Sequence, residues 1–66
     1  MRTWLIERRK KQQMTQLAVA SKTGITRAYY AQLESASRSP SIKVAKKLAD
    51  VLDFEWTVFY SDDPEN

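Results

Sequence analysis

The chain is 66 residues long, sets 11 Lys and Arg against 8 Asp and Glu for a formal charge of +3, and has one glycine, two prolines and neither cysteine nor histidine. So short a chain makes one domain with a small core, burying only about 60% of the surface its unfolded form exposes. The absent thiols and imidazoles exclude a disulfide framework and structural zinc, and no metal or cofactor is expected.

The alanine, lysine, leucine and glutamine content favours helix throughout and predicts an all-α domain. Trp4 to Gln12 reads as a first helix, with Trp4, Leu5 and Ile6 as its apolar end and Arg8, Arg9, Lys10 and Lys11 as a basic run. Thr15 is placed to cap a second helix by accepting from free backbone N–H groups; Val19 and Ala20 face the core, and Gly24 ends the helix in a tight turn. Thr26 opens a third helix at once, with Tyr30 and Leu33 on its apolar side and Tyr29 at the margin. Residues 35–40 form a polar loop, and Pro40 and Ser41 read as a stop followed by a cap. Ile42, Ala45, Leu48, Ala49 and Leu52 then fall at i, i+3, i+6, i+7 and i+10, the clearest amphipathic stripe in the chain. Phe54, Trp56 and Phe59 make a short aromatic helix. Residues 1–60 are expected to form the domain and residues 61–66 an acidic, frayed tail.

The charge is unevenly spread. Residues 1–49 hold all 11 basic residues against Glu7 and Glu34, a balance of +9, whereas residues 50–66 hold six acids and no base. A basic body suggests a polyanionic partner such as nucleic acid, although such patches also serve solubility alone. No apolar run approaches the roughly 20 residues needed to cross a bilayer, the start is charged rather than signal-like, and the basic residues do not line one polar helix face. A cytoplasmic protein without membrane contact is expected, and no small-molecule ligand.

The informative segment runs from Thr15 to Glu34: capped helix, turn with Gly24, capped helix. Two short helices joined by about four residues with glycine at the bend have the geometry of a helix-turn-helix, a hairpin that small bundles also contain. With Arg27 at zero on a wheel of about 100° per residue, Ala31, Ala28 and Gln32 follow within roughly 140°, opposite Leu33 and Tyr30. That stripe offers a guanidinium able to bond guanine O6 and N7, an amide able to bond adenine N6 and N7, and methyl groups for thymine. A solvated helix face has the same pattern, but small alanines beside Arg and Gln favour a surface built for close approach.

Met14-Thr15-Gln16, Val19-Ala20, Gly24-Ile25-Thr26, Tyr30, Leu33-Glu34, Pro40-Ser41, Leu48-Ala49 and Leu52 together make the chain, over about residues 4–60, similar to the Cro/phage-repressor (XRE) helix-turn-helix family. The resemblance implies a compact five-helix repressor-like domain, recognition by the third helix, and a homodimer on a two-fold operator in double-stranded DNA. It implies a small bacterial or phage transcriptional regulator, in most cases a repressor; antitoxins and restriction-modification controllers share the fold.

Carried over position by position, Arg27, Ala28 and Gln32 match the base-reading positions, and Gln16 matches a phosphate-clamping glutamine at the start of the second helix. Thr26, Tyr29, Ser37 and Arg38 complete the phosphate-facing set. Arg9 and Glu34 match a structural pair between the first and third helices. Trp56, Phe59 and Tyr60 are expected at a dimer interface, the alternative being that Trp56 and Phe59 cap the domain's own core. Ala36 departs from the family, which usually has glycine there, so either an alanine takes a left-handed conformation or the loop leaves the helix differently. Arg8 replaces an apolar residue, its stem expected over the core with its charge in water. Leu17 is apolar where the family is usually polar. An enzyme is disfavoured, with no histidine, cysteine or Gly-rich phosphate loop. The rival reading is a protein-interaction module, antirepressor-like, on the same fold; Arg27 with Gln32 favours DNA over it.

Overall fold

The computed structural model describes residues 1–61, which form α1 (Thr3–Lys11), α2 (Gln16–Thr23), α3 (Arg27–Ser35), α4 (Ile42–Leu52) and α5 (Val58–Ser61). The tail expected over 61–66 lies outside the described residues, except that Ser61 is the last residue of α5. Three helix starts are written in single hydroxyl residues. Thr15 accepts from the Ala18 N–H at 3.0 Å, Thr26 from Tyr29 at 3.0 Å and Ser41 from Val44 at 3.2 Å, each satisfying a donor that has no partner inside its helix. The four cations Arg8, Arg9, Lys10 and Lys11 occupy the last turn of α1, where they oppose the negative end of its dipole.

Leu5, Val19, Ala20, Tyr30, Leu33, Ala45, Leu48, Leu52 and Phe59 form one buried cluster, drawn from all five helices. α2 packs on both α3 and α4, which sets the pitch of α3 against the body. Ile42 is the exception to the stripe read from the sequence. It is 55% exposed, because the stripe continues one turn beyond Ala45, where no other helix covers it. Trp4, Phe54 and Phe59 meet edge to face at 5.0 to 5.7 Å between ring centroids, closing the end of the core between α1 and α5. Arg8 is half-buried at this end, its Nη1 donating to the Asp53 carbonyl at 3.1 Å.

The left-handed positions separate the chain's one glycine from residues that adopt that conformation at a cost. Gly24 caps α2 at φ 76°, and a Cβ built there meets nothing within 4 Å, so the turn needs glycine for its dihedral and not for space. Ala36 takes the same role for α3 at φ 67°, the first of the two alternatives left open by the sequence. The conformation is held because the Ser37 and Arg38 N–H groups both reach the Gln32 carbonyl, at 3.1 and 3.3 Å. A left-handed alanine costs roughly 1–2 kcal/mol, partly offset by the greater freedom glycine has in the unfolded chain. Ala36→Gly is therefore expected to stabilise the domain by up to about 1 kcal/mol. A urea midpoint that stays still or falls, with unchanged slope, overturns this assignment of strain.

Candidate nucleic-acid interface

α2 and α3 meet at a turn whose Ile25 N–H returns to the Ala20 carbonyl at 3.0 Å, while the buried Thr23 hydroxyl donates within its own helix to Val19 and Ala20. The turn fixes which side of α3 faces out. Tyr30, Leu33 and Glu34 are buried; Arg27, Ala28 and Gln32 are exposed, and Ala31 is half-buried between the two sides. The stripe drawn from helical periodicity is therefore an outer face of the molecule, narrower by Ala31.

Behind that face lies a chain of polar contacts that crosses three helices. Arg9 Nε donates to Glu34 Oε2 at 2.6 Å, and Arg9 Nη2 to Oε1 at 3.4 Å; Arg9 Nη1 also holds the Met14 carbonyl at 3.1 Å. Gln16 Nε2 donates to Glu34 Oε1 at 2.8 Å, and its Oε1 accepts from Arg27 Nη1 at 3.3 Å. The amide direction follows from chemistry. A carboxylate only accepts and a guanidinium only donates, so the reversed amide would face both neighbours with the wrong atom. Gln16, expected at phosphate, is thus half-buried and engaged on both sides, with one amide hydrogen not used by Glu34.

Burial works to raise the Glu34 pKa, but the Arg9 hydrogen bond, the Tyr30 hydroxyl and the Gln16 amide outweigh it and hold the carboxyl below its ordinary value. The Arg9 pKa is raised, chiefly by its bond to Glu34. The Tyr30 hydroxyl is buried close to this pair but outside hydrogen-bond geometry; burial first, and the Glu34 charge with it, push its pKa up, so it stays neutral.

The remaining phosphate candidates sit beside the exposed face. The Thr26 hydroxyl accepts from the Tyr29 N–H as a cap and keeps its own hydrogen to donate. Arg38 is exposed, its guanidinium 5.9 Å from the centroid of the half-buried Tyr29 ring, so these two come together. Ser37 is exposed and its hydroxyl lies 3.0 Å from that of Ser35. Leu17 projects from the first turn of α2, 60% exposed, next to Gln16.

This architecture has a match among known proteins: the family model described as helix-turn-helix covers residues 5–59. The chain belongs to the Cro/phage-repressor (XRE) helix-turn-helix family. It is similar to the uncharacterized HTH-type transcriptional regulator YqaF of Bacillus subtilis (strain 168), with 44% identity over 62 residues, 94% of this chain and 82% of that protein. No solved structure matches it. The matched span runs from Leu5 to Phe59, the first and last residues of the buried cluster, so the helix-turn-helix family signal and the core coincide.

One helix-turn-helix expectation needs correction. Phe59, assigned to a dimer surface with Trp56 and Tyr60, is 4% exposed and packed between Trp4 and Phe54. An aromatic ring in the middle of a short helix joins the core of its own chain when α1 supplies a partner ring. Trp56 is half-buried under Lys46, whose Nζ lies 5.1 Å from the ring, and Tyr60 is 42% exposed with its hydroxyl donating to the Pro40 carbonyl at 3.1 Å. The sequence also left Arg2 unassigned. Its guanidinium donates to the Leu33 and Arg38 carbonyls at 2.7 and 2.9 Å, contacts between residues more than 30 positions apart that no local pattern announces. Among the described residues, no cluster of acids is arranged to hold a metal ion, and no helix is long and apolar enough to cross a membrane.

The lowered Glu34 pKa fixes a direction for stability against pH. The stabilisation carried by the ionised Glu34 is complete above the ordinary value of 4.5 and is lost as pH falls through the lowered folded value. Glu34→Gln should flatten this acid limb, which begins as pH falls below about 4.5. Arg9→Ala, which leaves the buried Glu34 carboxylate without its counter-charge, should cost about 3–5 kcal/mol. Parallel stability curves for the native chain and Glu34→Gln, or no coupling in the Arg9/Glu34 double-mutant cycle, would sink the pairing as a source of stability.

Proposed function

We propose that the chain is a sequence-specific double-stranded-DNA-binding transcription regulator, acting as a repressor, with α3 in the major groove. The observation that carries this is the two-sidedness of α3. Tyr30, Leu33 and Glu34 anchor it, and Arg27, Ala28 and Gln32 stand exposed on the outer side with donors and methyl groups suited to base edges. Gln16 holds Arg27 by its amide oxygen, which limits the freedom the guanidinium would lose on meeting a base. Its remaining amide hydrogen, with the first-turn N–H groups of α2, suits a phosphate. Thr26, Tyr29, Ser37 and Arg38 supply further donors at the edge of that face, where they would fix the register without reading sequence. A domain seated in the groove blocks other proteins from the same site, so repression by occlusion needs no further machinery.

Base reading and phosphate contact are expected to separate by residue. Arg27→Ala or Gln32→Ala should relax preference at one or two base pairs per half-site by about 1–3 kcal/mol, with affinity for unrelated DNA nearly unchanged. Competition binding against single-base operator variants measures this. If Arg27→Ala weakened specific and unrelated DNA equally, α3 would not be reading bases.

A homodimer on a two-fold operator is part of the same reading, with half-sites about 34–36 Å apart. With Phe59 withdrawn to the core, the surface left for a second copy is Ile42, Trp56 and Tyr60 around Lys46. Ile42 and Lys46 share a face of α4, Lys46 covers Trp56, and Trp56 meets Tyr60 at 6.0 Å between centroids. Sedimentation should detect a dimer that Ile42→Glu weakens; a monomer both free at high concentration and on DNA overturns it.

A further inference from the structure

We propose that Arg2 is a positioning residue for DNA binding: it clamps the loop over 36–41 so that Ser37 and Arg38 are presented to the phosphate backbone before DNA arrives. This rests on the DNA-binding reading given above. The observation is a set of bonds from one residue to a single distant segment. The Arg2 backbone N–H donates to the Glu34 carbonyl at 2.7 Å, its Nη1 donates to the Leu33 carbonyl at 2.7 Å and the Arg38 carbonyl at 2.9 Å, and its Nη2 reaches Ser39 Oγ at 3.4 Å. The guanidinium also lies 5.4 Å from the centroid of the Phe59 ring, in the core.

Three physical needs meet at this point. The last carbonyls of a helix have no partner inside it, and Arg2 takes two of those of α3, at Leu33 and Glu34. The negative end of a helix dipole favours a cation, and α3 has no basic residue in its own last turn. The loop itself departs through a left-handed alanine, a conformation that persists only where neighbouring contacts hold it. Arg2 bonds the loop backbone at Arg38, the residue whose side chain is the loop's cation. The guanidinium reaches both carbonyls from Nη1 and the hydroxyl from Nη2, two nitrogens held in one rigid plane, whereas an ammonium offers a single nitrogen on a flexible stem. Because the acceptors are neutral, the bridge leaves the positive charge of Arg2 in place near the proposed phosphate path.

The test uses Arg2→Lys, which keeps the charge and removes the fork. Binding of the full chain to operator and unrelated DNA is measured against salt concentration, alongside Arg38→Ala and a destabilised control, Val51→Ala, a half-buried residue in the last turn of α4, at the opposite end of that helix from the loop. Arg38→Ala should lower the slope of log K against log salt by about 0.9 per subunit, so that between about 50 and 200 mM salt its binding falls about 3.5-fold less per subunit than that of the native chain. Arg2→Lys should do the same at unchanged net charge and add little when combined with Arg38→Ala. Val51→Ala should leave the slope alone, and all three should keep the discrimination at the base pair read by Arg27. A native slope in Arg2→Lys beside a lowered slope in Arg38→Ala rejects the role of Arg2 and leaves the loop's DNA contact standing. A native slope in Arg38→Ala rejects the contact itself, and the proposal with it. Independently of whether Arg2→Lys folds, the Ser37 and Arg38 amides of the unbound native chain should exchange slowly with solvent; exchange at the rate of an unstructured peptide overturns a preset loop.

Discussion

A carboxylate taken out of water is tolerated only when it is paired and its oxygens are bonded, and in this domain that requirement falls on Glu34. Its side chain is gripped from α1 by Arg9 and from α2 by Gln16, and its backbone carbonyl is bonded by the residue that precedes α1. Apolar packing alone lets helices slide by small amounts at little cost, since methylenes are interchangeable at that scale. A carboxylate with directional partners on two neighbouring helices does not. α1 and the two helices of the helix-turn-helix are therefore registered to one another at one point, near the end of α3.

That registration extends to the outer surface through a run of hydrogen bonds whose donors all point toward Glu34. Charge alternates from Arg9 to Glu34, the amide dipole of Gln16 aligns with it, and the chain ends on Arg27. The buried end is strong, being charge-assisted and short; the exposed end, at 3.3 Å in water, contributes less. Its effect lies in orientation more than in energy. The Tyr30 hydroxyl shares this buried space without a hydrogen bond of its own, a cost absorbed by the packing of its ring in the cluster.

The far end of α3 is secured by different means. There the chain turns through Ala36 with no glycine to ease it, and Arg2 meets two carbonyls at this end, Glu34 with its backbone N–H and Leu33 with its guanidinium. Between its capped start at Thr26 and this anchored end, α3 is held at both termini and along one side. What stays exposed is a short row of side chains on a rigid rod, the arrangement that sequence-specific recognition needs, because a base contact discriminates only when a misplaced donor cannot adjust.

Much of this was legible in the residues. The caps at Thr15, Thr26 and Ser41, the turn at Gly24 and the stripe from Ala45 to Leu52 depend on residue types within one or two helical turns, so their chemistry travels with the sequence. The Arg9–Glu34 match could be named only through family resemblance, since nothing local links positions 25 apart. Other features were decided by tertiary structure. Whether Phe59 turns inward depends on Trp4 arriving beside it, whether Ile42 is covered depends on where the other helices end, and whether Gln16 is free depends on the Glu34 carboxylate reaching it. Arg2 had no signal at all, because its partners are backbone carbonyls, which every sequence contains and only a particular crossing of helices brings within 3 Å. Helix propensity, capping and periodicity are short-range and additive, so the sequence alone determined the elements and their apolar faces; the partners of each polar group depend on how those faces close on one another, which only the folded chain decides.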